Sequence, residues 1–360
     1  MLKALCLSVW LGLSLVSGAQ AASVVFLNPG NADETFWVSY SRFMQGAAQN
    51  LGMSLRVEYS GRDRQRVLHQ ARQALQGPQR PDYLVLVNEQ YVAPEIIRLS
   101  RGSGVRLFLV NNGLTVDQAR QVHEYPDRYP PVLGTLTGND EEAGYRMLKT
   151  LVEQLPPAAL EQGVDLLAFS GLKHTPAAQL REQGMHRALA ELPGVHLRQL
   201  VYGEWSRQRA YEQAQLLGAR YPRTQLVWSA NDEMAFGAMQ AFEEAGRVPG
   251  RDVLFSAVNS SPQALQARIE GRLSVLMGGH FSLGGWAMVL LHDDAQGVPI
   301  GQLLARPRPV PVLQLIDAVK ARRWLTLEQQ GDYGLDFKGF SAVGKAPGYR
   351  YPFLKDAMDY

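Results

Sequence analysis

The sequence predicts an α/β protein built on two doubly wound, mostly parallel sheets. Three features carry this: short apolar runs alternate with helical patterns, ten of those runs are strand-like, and no Gly/Ser-rich linker interrupts them. Runs that are apolar at every position need cover on both faces, which points to parallel strands with helical crossovers. Ten strands reach the limit of what one twisted sheet holds, so two lobes are expected. Without a linker, the chain is expected to pass between the lobes several times, and the cleft between two such lobes suits a small ligand.

Taken in order, 23–27 (SVVFL) is a strand that ends at Asn28-Pro29-Gly30. Phe36, Tyr40, Phe43, Met44, Ala47 and Leu51 then recur at helical spacing until Gly52 stops the helix. Strands at 55–59, 83–87 and 106–110 alternate with helices at 64–75 and 93–101. After a Pro-, Tyr- and charge-rich loop at 124–131, the same grammar resumes with strand 132–136 and helix 140–155. Strands at 164–169, 197–202, 225–229, 253–258 and 273–277 follow, with helices at 176–192, 207–220, 233–245 and 283–295.

Residues 1–21 stand apart. Lys3 precedes an apolar stretch from 4 to 16, and Ala19-Gln20-Ala21 closes it with small residues where a signal peptidase reads. Cleavage after Ala21 and export to the periplasm are expected. Cys6 is the only cysteine, so the mature chain holds neither a disulfide nor a Cys-ligated metal site. With 36 Lys+Arg against 34 Asp+Glu, charge gives no reason to bind nucleic acid. Hydrophobic content of 46% excludes wholesale disorder.

Four stretches make the pattern specific. Glu34-Thr35-Phe36-Trp37-Val38 opens the first helix, and Gly138-Asn139-Asp140 is followed by Gly144. Arg181-Glu182-Gln183-Gly184-Met185 comes third, and the most telling is Ser229-Ala230-Asn231-Asp232-Glu233-Met234-Ala235-Phe236-Gly237-Ala238. In their order and spacing, from about Val24 to about Pro311, the chain resembles the periplasmic solute-binding proteins of the type I, ribose-binding class. Those proteins share their fold with LacI-type repressors, but here a signal segment stands where a DNA-reading helix-turn-helix would be. The resemblance implies two lobes joined by a three-stranded hinge, closing on one ligand without a cofactor. The lobes are expected at 22–137 plus 280–308 and at 138–279 plus 309–330, with a tail at 331–360 packed on them.

A sugar site needs aromatic plates for C–H faces and planar polar groups for hydroxyls. The resemblance assigns Phe36 and Trp37 on the first lobe and Trp205 on the second as the plates; by periodicity alone, Phe36 and Trp37 would extend a helix core stripe. It also sets Arg181 as a ligand-gripping fork, where an ordinary helix arginine would be solvated. Asn231 reads as a helix N-cap, and Asn231 or Asp232 is expected to reach the cleft as well. The sequence departs from the class at Asn111-Asn112 and at Asn259, where acids are usual, and Glu34 is expected to restore one anionic acceptor. His280, after Gly278-Gly279, is either a ligand donor or a structural hydrogen-bonder.

The expected ligand is therefore a small polar molecule, either a sugar or a sugar-like molecule with negative character. Three functions follow: delivery of the ligand to a membrane permease complex, signalling to a membrane sensor protein, or an exported enzyme. The last is disfavoured because no HExxH, GxSxG or phosphate-loop motif is present. The pairs Glu141-Glu142 and Asp293-Asp294 read as solvated helix faces. The aromatic stretch after Leu315 reads as a strap across the lobes. A monomer is expected.

Overall fold

The computed structural model describes residues 21–304, 309–330 and 333–354, so all of the expected leader except Ala21 lies outside the described residues. The first lobe is built from β1 (Ser23–Asn28), α1 (Thr35–Leu51), β2 (Ser54–Tyr59), α2 (Arg64–Gln76), β3 (Tyr83–Leu86), α3 (Ala93–Leu99), β4 (Arg106–Asn111), α4 (Val116–Glu124) and β5 (Gly134–Gly138). The second follows with α5 (Asp140–Val152), α6 (Pro157–Gln162), β6 (Val164–Ser170), α7 (Pro176–Ala190), β7 (Val195–Tyr202), α8 (Arg207–Arg220), β8 (Thr224–Ser229), α9 (Asp232–Glu244), β9 (Leu254–Val258), α10 (Pro262–Ile269) and β10 (Val275–Gly278). The chain then returns to the first lobe with α11 (Leu283–Ala295), α12 (Ile300–Leu303) and β11 (Pro309–Val310), before β12 (Gln314–Leu315) and α13 (Ala318–Gln330).

The sheets run β11-β5-β4-β3-β1-β2 and β12-β10-β9-β8-β6-β7, and every pairing is parallel except β10 with β12. Strands β3 and β6 are buried at every position, which is why β3 reads as an unbroken apolar run and β6 as one interrupted by Asp165. The helices left unassigned by periodicity, α4, α6, α10, α12 and α13, are mostly short, and neither α4 nor α6 buries a residue.

Three segments carry the chain between lobes: 138–140, 278–283 and 310–314. They touch one another. Asn139 Nδ2 donates to Leu313 O at 3.1 Å, and Asn139 Oδ1 accepts from Leu313 N at 2.9 Å. Gly279 sits at φ 112°, and a Cβ there would lie 2.3 Å from Val312 O, so only glycine lets these two crossings approach. The third crossing falls later than expected, because Pro309 and Val310 pair with Thr137 and Gly138 of β5. Residues 309–310 and Gly138 thus belong to the first sheet. A two-residue strand opened by proline has no periodicity to read.

The helix α11 is buried at Trp286, Leu290 and Asp293 alike, because it lies between the first sheet and the tail. Phe353 stacks on Trp286 at 4.7 Å, and Phe337 and Phe340 contact the same indole. Asp293 is fully buried and accepts from Ser341 Oγ, Ala342 N (2.5 Å), Tyr351 Oη (2.7 Å) and His292 Nδ1 (2.9 Å). The expectation that Asp293-Asp294 is a solvated face is thereby corrected. Asp294 also is almost covered, by Arg106 and by Tyr83 Oη at 2.6 Å. Glu141 and Glu142 remain at the surface, paired with Arg187.

Two motif glycines have a packing reason. A Cβ on Gly144 would lie 2.0 Å from Arg181 O, and one on Gly184 only 1.8 Å from Glu141 O, so α5 and α7 meet backbone to backbone. The same device recurs at Gly237, where a Cβ would lie 2.1 Å from Arg207 O and force α8 from α9. Alanine is favoured over glycine by about 1 kcal/mol in an open helix. At Gly184 the clash outweighs this gain, and Gly184→Ala is expected to destabilise by about 1–3 kcal/mol net in urea unfolding. A more stable variant would refute the close-packing account.

Candidate ligand-binding site

Parallel strands place their following loops on one edge, and the two sheets turn these edges toward each other across a narrow cavity. Side chains follow the carboxyl ends of nine strands into it. From the first lobe come Glu34, Phe36 and Trp37 after β1, Arg62 after β2, Glu89 after β3, and Asn111 and Asn112 at the end of β4. The second lobe adds Thr175 and Ala177 after β6, with Arg181 further along α7; Trp205 follows β7, Asn231 β8 and Asn259 β9. His280, after β10, lies on the second crossing.

The aromatic walls are set by their surroundings. Trp37 is buried, and Gly30 makes room for it, since a Cβ there would lie 2.1 Å from the indole. Phe36 meets Trp37 edge-on at 4.9 Å and stacks on His280 at 4.4 Å. Trp205 lies opposite in the chain's second lobe, with Gly171 likewise leaving space for its ring. Phe36 and Trp37 pack on the core and also line the cavity.

Arg181 is not a free fork. Its Nε donates to Asp140 Oδ1 at 2.8 Å, Nη2 lies 2.8 Å from the same oxygen, and Nη1 donates to Ala230 O at 2.7 Å. Burial raises the Asp140 pKa, and Arg181 opposes that rise. Arg181 Nη2 also sits 3.4 Å from His280 Nε2. A guanidinium only donates, so Nε2 accepts and the proton resides on Nδ1. Burial first, and then Arg181, push His280 well below the usual imidazole pKa, which keeps the ring neutral. Nδ1 has no hydrogen-bond partner among the described residues.

Asn231 caps α9 by accepting from Met234 N at 2.9 Å and donates to Trp205 O at 3.3 Å, so capping and lining coexist. Asp232 does not line the cavity, contrary to its candidacy; it is buried behind Asn259, whose Nδ2 donates to it at 2.6 Å. Asn259, at φ 123°, is the residue this carboxylate holds in place.

Sequence reasoning missed Arg62, Glu89, Thr175 and Ala177. Arg62 bonds both Glu34 and Glu89, so the wall carries two carboxylates where one was expected. Glu89 Oε1 accepts from Thr175 Oγ1 at 3.0 Å, Asn112 Oδ1 accepts from Ala177 N at 3.0 Å, and Gln179 Nε2 donates to Tyr91 Oη at 2.7 Å. Each of these bonds joins the two lobes, so the cleft is shut. The signal that could have found Glu89 is its place after the buried run 83–87; Arg62, which follows the half-exposed β2, carries none.

Asp232 gives a pH signature. Burial pushes its pKa up to about 6 from 3.8, against the opposing bond from Ser261. Between those values the folded state binds the proton more tightly than the unfolded state, so stability falls as pH rises through the window. Asp232→Asn lacks this penalty. Its stability relative to the parent is expected to improve by about 2 kcal/mol between pH 4 and pH 7. Urea unfolding at both pH values measures this, and a constant difference would refute the assignment.

Comparison with known proteins agrees with this geometry. A model described as a periplasmic binding protein domain matches residues 24–297. A periplasmic sugar-binding protein from Pseudomonas fluorescens is 59% identical with a TM-score of 0.83, over 92% of this chain and 98% of that one. The binding component of the arabinose ABC transporter from Shewanella sp. ANA-3, bound to α- and β-L-arabinofuranose, shares the fold. Its TM-score is 0.69 at 19% identity, over 86% of this chain and 96% of that one. The galactofuranose-binding protein of Escherichia coli is 28% identical over 97 residues, which are 25% of this chain and 30% of that protein. The match thus spans under a third of that curated relative.

Proposed function

Because the chain belongs to the periplasmic binding protein domain family, we propose that it captures a neutral monosaccharide in the periplasm and delivers it to the permease of an ABC-type importer. The observation that carries this reading is the convergence of aromatic rings from both lobes on one polar-rimmed cleft cavity. The solved relatives named for sugar binding support the same class.

The charges argue for a neutral ligand over one with negative character. Arg181 is matched by Asp140, and Arg62 is shared by two carboxylates, so no cation in the wall is left for an anion. The asparagines at 111, 112 and 259 both donate and accept, as hydroxyls require. Ligand bound between the lobes adds contacts available only when they are shut, and so shifts an open–closed equilibrium toward closure. The closed surface is then what the permease reads.

Native mass spectrometry of gently purified protein is expected to show one retained neutral monosaccharide. Trp205→Ala is expected to weaken binding of that sugar in calorimetry by about ten- to a hundredfold. The ligand-free melting temperature should change little, because the ring lies at the cavity wall. Loss of melting temperature in step with affinity would make Trp205 a core residue instead.

A further inference from the structure

Glu34, Arg62 and Glu89 form an ion-paired row along the first-lobe wall. They come from three separate loops: the entry to α1, the turn after β2, and the segment after β3. Arg62 Nη2 donates to Glu34 Oε1, and Nη1 donates to Glu89 Oε1 at 3.0 Å. The arginine stands at φ 59°, in the left-handed region, and its backbone is pinned there. Its N–H donates to Pro29 O at 2.7 Å, and its carbonyl accepts from Gln90 Nε2 at 2.7 Å. Such a conformation costs about 1–3 kcal/mol in a residue with a side chain, so the surrounding bonds over-determine where this guanidinium sits.

Acceptor accounting shows what the row offers. A carboxylate has about four lone-pair sites. Glu89 accepts from Arg62, from Thr175 at 3.0 Å and from Asn112 at 3.2 Å, which leaves a site on Oε2. Glu34 accepts from Arg62 and, at 3.4 Å, from Asn31 N, which leaves sites on both oxygens. The guanidinium therefore holds two charged acceptors side by side with capacity to spare. Their surplus is negative: two carboxylates share one arginine, and Arg181 is already taken by Asp140. A carboxylate or phosphate on the ligand would be buried against that surplus without a cation.

We propose that Arg62 is the specificity-determining residue of this site: it fixes Glu34 and Glu89 as paired acceptors for two neighbouring hydroxyls, and so selects neutral sugars against sugar acids and sugar phosphates. The assignment rests on the solute-capture reading above and names which solutes are admitted.

The test is a thermal-shift and calorimetric panel of neutral pentoses, hexoses and inositols beside uronic acids and sugar phosphates. The protein is the parent chain, Arg62→Gln, and Glu34→Gln combined with Glu89→Gln. The parent should bind a neutral member and discriminate by about tenfold or more against every acid and phosphate. Arg62→Gln should lose about tenfold affinity for that neutral sugar. The double variant leaves Arg62 uncompensated, so its acid-to-neutral affinity ratio should rise about tenfold or more. Ligand-free melting curves of each variant separate folding defects from binding defects. A uronic acid bound as well as the best neutral sugar, or an unchanged ratio in the double variant, overturns the role of Arg62 and leaves sugar capture standing. A parent that binds no carbohydrate of either kind overturns the capture reading itself.

Discussion

The buried pair of Arg181 and Asp140 is the point on which both the hinge and the site depend. Asp140 opens α5 directly after the first crossing, and Arg181 projects from α7. The guanidinium extends the link to the carbonyl before Asn231 and to His280 on the second crossing. Asn139, next to Asp140, grips the third crossing. One ion pair thus gathers all three crossings and the second-lobe wall within bonding reach of each other. Removing one partner of such a pair strands a buried charge, a loss of about 3–5 kcal/mol, so lobe geometry and cavity chemistry stand or fall together.

Around that centre the backbone is strained where it meets the cavity. Among the described residues, the non-glycine positions with positive φ are Arg62, Gln90, Tyr91, Asn111, Glu204, Trp205 and Asn259. Each lies within two residues of a cavity-lining side chain or is one itself. The sheets supply rigidity, and the strain is confined to the loops that aim side chains into the cleft. The cross-lobe bonds from Glu89, Asn112 and Tyr91 then use some of the same side chains for closure. Recognition and shutting are therefore not separable tasks in this cleft.

The fold was legible because its strongest signals are local. Strands buried on both faces read as apolar runs, and the glycines at 144, 184 and 237 stood out as motif positions whose packing reason only the structure gives. Phe36, Trp37 and Arg181 lie within the four motifs, and Trp205 was placed by its register between two of them. Asp232 misled because a residue beside an N-cap turns either toward the cleft or behind it, and only the position of Asn259 decides which. Arg62 and Glu89 were hidden, since their meeting depends on strand order and on positive φ, neither of which spacing encodes. Asp293 looked solvated because its cover, Ser341, Ala342 and Tyr351, arrives some fifty residues later in the chain.

That late cover sets an order of assembly. The second lobe is drawn almost wholly from one continuous stretch, 140–278, whereas the first needs 23–138, then 283–310, then the aromatic segment of 333–354. A chain emerging amino end first therefore exposes the raw materials of the first lobe long before their partners exist. The half that begins last in sequence is the one able to fold earliest, and the half that begins first must wait for contacts of the longest separation. The interval during which Trp286 and its neighbours stand uncovered is the molecule's window of vulnerability to aggregation and proteolysis, and the segment that ends it is the last to arrive.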